Sequence, residues 1–202
     1  MTRLYLVRHG AVDGAGRFYG HLDVPLSDEG RRQIGEAAAA LAGLELAAVC
    51  CSDLTRALES ARIIAAGHGL APLPDPAFRE MNLGLLEGLP FAELRQHPEL
   101  ASKRYEDMWS FRFPGGGENL QDIAERARPA LARILEAHPG PETNVVLVAH
   151  NSVNRILIGD ALGLPLRQVF GFAQDFGCVN RIDYDAERVR LVLLNWTATA
   201  PD

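Results

Sequence analysis

Leu4-Tyr5-Leu6-Val7-Arg8-His9-Gly10, near the start of the chain, decides how the rest is read. Four consecutive apolar residues, rich in strand formers and bounded by a glycine, read as a strand buried inside a parallel or mixed sheet. The polar pair Arg8-His9 then falls at the strand's carboxyl end, where open α/β sheets bind their ligands. Gly10 permits a sharp backbone turn there, or the close approach of a ligand. A histidine at a strand end is more often a hydrogen-bonded structural residue than a catalytic one, so its role depends on what else the chain brings to that edge.

A length of 202 residues with 48% hydrophobic content suits one domain with a full core, although two small domains would also fit. The net charge of −6, from 26 acidic and 20 basic residues, argues against general binding to nucleic acid or to an anionic membrane. Any anion site must therefore be local. The three cysteines, adjacent Cys50-Cys51 and distant Cys178, form no C-x-x-C pair and no disulfide framework. They point to core packing in a reducing compartment. The first residues show no charged-then-apolar leader, and no apolar run approaches the roughly 18 residues of a membrane span. The expectation is a soluble, cytoplasmic protein.

Outward from the first strand, residues 11–25 read as a loop, with Gly14, Gly16 and Gly20 among the polar residues Arg17, His21 and Asp23. A loop of this length is usually functional or mobile. Ser27 followed by Asp28-Glu29 is an N-cap with acidic residues in the first turn. Ile34, Ala37, Ala38 and Leu41 then keep helical spacing until Gly43. A second apolar run, residues 46–51, ends on Ser52-Asp53, after which Leu54, Ala57, Leu58, Ala61 and Ala65 form the inner face of a second helix. Arg56 and Arg62 fall off that stripe. An arginine in a first helical turn opposes the helix dipole, so Arg56 is either solvated or faces an anion held at the same helix end.

Pro72, Pro74 and Pro76 bracket a brief extended segment leading into a shaped loop that carries Arg79, Glu80, Gly84, Glu87 and Gly88. Residues 90–113 read as a helical insertion interrupted by Pro98, placed beside or over the sheet as a lid, with Trp109, Phe111 and Phe113 packing near its end. The glycine triplet 115–117 lacks the following Lys-Ser or Lys-Thr of a nucleotide phosphate loop. Glu118 either contacts a substrate or, as the preferred reading, favours the start of a long amphipathic helix, which Pro129 should kink. Residues 143–149 then repeat the first strand's design: an apolar run ending on a histidine, His150-Asn151-Ser152, followed by a helix. Parallel neighbours would bring His9, His150 and the start of the Arg56 helix to one sheet edge. Two final strands, residues 178–184 and 189–196, show no chemistry of their own.

Taken in order, Leu6-Val7-Arg8-His9-Gly10, the stretch from Gly20 to Ser27 with Gly30, and Ser52-Asp53-Leu54-Thr55-Arg56-Ala57 resemble the histidine phosphatase superfamily, also called phosphoglycerate mutase-like. Arg79-Glu80 with Gly84 and Glu87-Gly88, then Pro114-Gly115-Gly116-Gly117-Glu118-Asn119, and Val148-Ala149-His150 continue the resemblance over nearly the whole chain. It implies one domain over residues 1–202: a three-layer α/β/α sandwich with a mostly parallel mixed sheet. It also implies a phosphoric monoester hydrolase with His9 as the nucleophile that carries a phosphohistidine and Glu80 as proton donor. Arg8, Arg56 and His150 would be the groups that hold the phosphoryl oxygens. No metal and no cofactor is implied, and the partner is a small phosphorylated substrate, with a homodimer left open.

The chemistry is consistent with those residue types. Acceleration of phosphomonoester hydrolysis reaches about 10²¹-fold, whereas acid–base help supplies about 10²–10⁴-fold. Positioning and cations aimed at the phosphoryl oxygens must supply most of the rest. Arg8 and Arg56 should also keep His9 neutral and nucleophilic, while a neighbouring dianion favours protonated Glu80.

Departures from the family pattern bear on substrate choice. Ala11-Val12-Asp13 stand where many members carry Glu-Ser or Glu-Thr, the loop is about two residues shorter, and an asparagine that touches phosphate is missing. Asn151 follows His150 where many members have glycine, and it joins Arg17 and His21 as candidate substrate contacts. Within the family, the stretch from Gly20 to Ser27 and the glycine-rich loop look like α-ribazole phosphatase and related small-substrate enzymes. A phosphoglycerate mutase is the alternative, less favoured because basic residues around Lys103-Arg104 are few. A non-catalytic phosphate-binding or interaction module is disfavoured by retention of both histidines, both arginines and Glu80. A two-histidine metal hydrolase lacks its ligand spacing.

Overall fold

The computed structural model describes residues 1–14, 16–96, 107, 109–140 and 142–198. The opening run forms β1 (Thr2–Arg8), which lies inside the sheet as its continuous hydrophobicity requires. It pairs parallel with β4 (Thr143–Ala149) and antiparallel with β5 (Val179–Tyr184). With β2 (Leu46–Cys51), β3 (Leu73–Pro74) and β6 (Val189–Trp196), the sheet runs in the order β3-β2-β4-β1-β5-β6. From β3 to β1 all pairings are parallel, and β5 and β6 extend the sheet by antiparallel pairing.

Strand parity divides the core into two layers. Leu4 and Leu6 of β1, with Val145 and Leu147 of β4, pack against α3 (Leu120–Ala137) and α4 (Asn151–Ala161). Tyr5 and Val7, with Val146 and Val148, face α1 (Asp28–Leu41) and α2 (Thr55–Ala66) on the other side. Successive strand residues point to opposite faces, so a strand with helices on both sides reads as unbroken apolar sequence. β2 departs from this parity near its start, and there the register with β4 shifts between Leu46 and Ala48. The result is the expected three-layer α/β/α arrangement.

Local signals set the helix starts. Ser27 caps α1, its hydroxyl accepting from Gly30 N at 3.0 Å. Asn119 caps α3 in a reciprocal capping box with Asp122. Helix α3 continues unbroken across Pro129. Three sequence expectations change. Glu118 does not start α3, because Asn119 and Asp122 do so between them. The expected helical insertion appears as a 3₁₀ helix over Phe91–Gln96 and a turn near Trp109 and Ser110, while 97–106 and 108, with Pro98 and Lys103-Arg104, lie outside the described residues. Phe113 is buried and Phe111 packs on the core, but Trp109 is 39% exposed and does not share their packing role.

Candidate active site

Pairing of Arg8 with Ala149 places the ends of β1 and β4 level, so the chain steps off both strands at the same height. His9 and His150 follow at once, with ring centroids 5.0 Å apart. Both are buried, at 2% and 0% exposure. His9 Nδ1 lies 2.7 Å from its neighbour's carbonyl, Gly10 O. A carbonyl only accepts, so Nδ1 carries the proton and Nε2 keeps its lone pair. Gly10 is required there, because a Cβ would lie 2.2 Å from Gly30 O.

Arg56 enters from the first turn of α2 and is fully buried, which removes the solvated alternative. Its Nη1 and Nη2 donate to Leu22 O at 3.1 Å and Gly20 O at 2.6 Å. The same short segment donates its amides to one carboxylate: Gly20, His21 and Leu22 N lie 2.8–2.9 Å from Glu87. Residues 20–22 are thus clamped through carbonyls on one side and amides on the other. Gly20 admits no side chain, since a Cβ would lie 1.8 Å from Met81 O. Asp23 completes the arrangement by capping α2, accepting from Thr55 N at 2.8 Å and Thr55 Oγ1 at 2.6 Å. A carboxylate at that helix end offsets the unfavourable position of Arg56 in the helix dipole.

Glu80 is half-buried in the loop that follows β3. Its carboxylate accepts from Met81 N at 2.8 Å and from Ser152 N at 3.2 Å, in the first turn of α4. The loop is held from α3 by Arg126, which donates to Ala77 O at 2.8 Å and Glu80 O at 3.0 Å and pairs with Glu118 at 2.9 Å. Glu118 therefore ties this loop to α3, accepting also from Asn82 N at 2.9 Å. Alongside, Arg79 makes a two-pronged pair with Asp53 at 2.8 and 2.6 Å.

Charge follows from this packing. Burial above all, then Arg56 and Arg8, push His9 well below the ordinary histidine range, against the hydrogen bond to Gly10. The sequence-based account gave the two cations that task; enclosure contributes more. Burial, Arg56, His9 and Arg8 likewise push His150 well below the ordinary histidine range, which favours its neutral form. Burial also lowers the pKa of Arg8 and Arg56, opposed by Glu80 and Tyr19, and a guanidinium stays charged at neutral pH. Nε of Arg8, Nε of Arg56 and both ring nitrogens of His150 are buried without a protein partner. Each such group costs about 1–3 kcal/mol. Their concentration around His9 fits an anion that completes their hydrogen bonding.

His9, His150, Arg8, Arg56 and Glu80 are thus brought together. The candidate substrate contacts are placed more peripherally. Arg17 is exposed and donates to Gly88 O at 2.9 Å; Asn151 Oδ1 accepts from Arg155 Nε at 2.9 Å. His21 turns its Nε2, buried and without a hydrogen bond, to 3.7 Å from Glu118.

Sequence reasoning missed Tyr19, whose ring lies 5.4 Å from the Arg56 guanidinium. It also missed Gln174 and Phe176. The segment before β5 does take part in the site: Gln174 O accepts from Arg8 Nη1 at 2.5 Å, and the Phe176 ring lies under the Arg8 guanidinium at 3.8 Å. No local pattern marked these residues; their roles arise from contacts more than 30 residues away in the chain. The three cysteines are buried, and burial raises their thiols to about 11 for Cys50 and Cys178 and about 12 for Cys51, in keeping with a packing role. No helix among the described residues is long and apolar enough to cross a membrane. Nor, among the described residues, does any group of three or more His, Cys, Asp or Glu stand where it could hold a metal ion.

Comparison with known proteins places this geometry in context. Residues 4–197 match the sequence pattern of the histidine phosphatase superfamily (branch 1). The chain is 31% identical over 194 residues to "Probable phosphoglycerate mutase GpmB" of Cronobacter sakazakii, covering 91% of this chain and 86% of that one. It is 29% identical over 201 residues to the adenosylcobalamin/alpha-ribazole phosphatase of Escherichia coli K12, covering 96% and 95%. Among solved structures, mycobacterial glucosyl-3-phosphoglycerate phosphatase superposes with a TM-score of 0.87 at 30% identity, over 97% of this chain and 99% of that chain.

Proposed function

Because the chain belongs to the histidine phosphatase superfamily (branch 1), we propose that residues 1–202 form one metal-independent phosphomonoesterase domain acting on a small phosphorylated metabolite through a phosphohistidine. The observation that carries this is the His9 ring, its Nδ1–H committed to Gly10 O and its Nε2 left for attack beside Arg8, Arg56 and His150. The substrate's phosphoryl oxygens would take the unpartnered Nε donors of the two arginines and a ring N–H of His150. As the Nε2–P bond forms, the P–O bond to the leaving group breaks and Glu80 gives its proton to the leaving oxygen. Water then attacks phosphorus, the Glu80 carboxylate takes a proton from it, and the N–P bond breaks. Inorganic phosphate leaves, with His9 neutral and Glu80 protonated as before.

For the substrate, similarity to the alpha-ribazole phosphatase over 96% of the chain favours α-ribazole 5′-phosphate. Similarity to the named mutase favours a phosphoglycerate mutase instead, in which the phosphoryl group returns from His9 to bound phosphoglycerate. A screen over ribazole phosphate, phosphoserine, 3-phosphoglycerate and fructose bisphosphates, with His9→Ala as blank, tests both. Phosphate release highest from ribazole phosphate supports the first; isomerisation of phosphoglycerate that depends on a bisphosphate primer supports the second and refutes the first. Turnover should be unchanged in chelator, and loss restored by added metal would contradict a metal-free mechanism.

A further inference from the structure

The segment between α4 and β5 is built around Arg8 more elaborately than a connecting loop requires. Gln174, 4% exposed, exchanges hydrogen bonds with Asn180, which is fully buried in β5: Gln174 Nε2 donates to Asn180 Oδ1 at 2.7 Å and Asn180 Nδ2 donates to Gln174 Oε1 at 3.0 Å. Asn180 Nδ2 is also 3.0 Å from Leu6 O of β1, and its Oδ1 accepts from Asn195 N at 2.8 Å. Asn195 holds a left-handed backbone, φ 53°, which asparagine tolerates better than most residues. From there its side chain grips Asp175 twice, at 2.6 and 2.7 Å. Gly177 N closes the loop onto Arg8 O and His9 O, both at 3.2 Å. The network fixes residues 174–177, and through them the Gln174 carbonyl and the Phe176 ring.

Phe176 is the part of this loop that faces the chemistry. Its ring lies 3.8 Å from the Arg8 guanidinium carbon and 5.6 Å, centroid to centroid, from the His9 ring. Phe176 also lines a cavity of about 400 Å³ bounded by Gln33, Glu36, Asp175, Asn195 and Trp196. A guanidinium on an aromatic face is oriented by it, because the ring quadrupole attracts the cation along the ring normal. Among acidic side chains Arg8 is attracted first by Glu80 and less by Asp175, which borders the same cavity. Loss of the ring would remove the face on which the guanidinium rests and leave it freer to shift toward the cavity that Asp175 borders.

We propose that Phe176 is a positioning residue: its ring, backed by the amide network of Gln174, Asn180 and Asn195, holds the Arg8 guanidinium over His9 for binding of the phosphoryl group and keeps it from Asp175. This deepens the phosphatase reading above and rests on it. The test compares wild type with Phe176→Leu, Phe176→Tyr and the double variant Phe176→Leu/Asp175→Asn. Each is assayed for the Kd of inorganic phosphate, for kcat and KM with p-nitrophenyl phosphate, and for Tm.

Phe176→Leu should weaken phosphate binding and raise KM by about tenfold, with kcat changed less. Phe176→Tyr keeps the aromatic face and should stay within about twofold of wild type. Removing the Asp175 charge should recover at least about threefold of the lost affinity, because Arg8 is no longer drawn aside. Should Phe176→Leu fold poorly, Phe176→Met must show the same loss. Equal phosphate affinity in wild type and Phe176→Leu, or an equal loss in Phe176→Tyr, or no recovery in the double variant, would overturn the proposal while wild-type activity leaves the phosphatase reading standing. A wild type that neither binds phosphate nor hydrolyses the ester would overturn both.

Discussion

His9 and His150 end two parallel strands of the same design, and the protein gives them opposite surroundings. Both rings are buried and both are held neutral by enclosure and by the same two arginines. His9, however, has its Nδ1–H bound to Gly10 O, whereas neither nitrogen of His150 meets a protein partner and its backbone caps α4. One ring has its tautomer fixed and a lone pair presented. The other keeps both ring nitrogens buried without a protein partner. In the proposed mechanism, equal sequence patterns therefore yield a nucleophile and a phosphoryl-binding donor, and the distinction lies in a single local hydrogen bond.

Mutation should separate the two most sharply. His9→Ala is expected to lower kcat by on the order of 10⁵-fold or more, as removal of a nucleophile does. Replacement of His150 by alanine should cost about 10²–10³-fold, the size of losing one preorganised donor, and leave formation of a phosphoenzyme detectable. Steady-state and single-turnover kinetics on both variants check this, and equal losses would remove the difference in role. Glu80→Gln should lower kcat by about 10²–10⁴-fold on alkyl phosphates. On p-nitrophenyl phosphate, whose leaving group needs no proton, the loss in phosphoenzyme formation should be much smaller, while hydrolysis of the phosphoenzyme, which uses the Glu80 carboxylate, should stay slow. His150→Ala should lack that leaving-group dependence.

Of the fold, the parts governed by local pattern were legible. The runs at β1 and β4 announced buried strands, and Ser27 announced the start of α1. Legibility failed where a residue's partner is distant. Arg56 looked ambiguous because sequence shows its place in a helix turn but not the carbonyls of Gly20 and Leu22 that receive its guanidinium. Glu118 looked like a helix starter because its partner Arg126 lies eight residues on, and Asn119 caps the helix instead. Tyr19 and Phe176 carried no signal, since an aromatic beside a cation is decided by packing. The final strands were dismissed for lack of catalytic side chains, although Asn180 holds Gln174, whose carbonyl accepts from Arg8.

A smaller effect follows from the shared neutrality of the histidines. Below pH 6.5, the ordinary value for histidine, the unfolded chain protonates both rings while the folded protein keeps them neutral. The unfolded state then binds more protons, so stability falls as pH is lowered, with a slope that approaches at most about 1.4 kcal/mol per pH unit for each ring. Denaturant titrations between pH 7 and 5 should show this slope, with about half the contribution left in His150→Gln. A histidine contribution independent of pH would contradict the buried neutral pair. On the same grounds the acid limb of kcat/KM should lie at lower pH than an ordinary imidazole would place it.

The most direct measurement is rapid acid-free quenching of enzyme during turnover of a ³²P-labelled phosphomonoester, followed by peptide mapping. The expected result is an acid-labile, alkali-stable label on His9, absent from His9→Ala and present, though slower to form, in His150→Ala. Label on His150, or turnover with no covalent phosphoryl group in any variant, would contradict the assignment of His9 as the phosphoryl carrier.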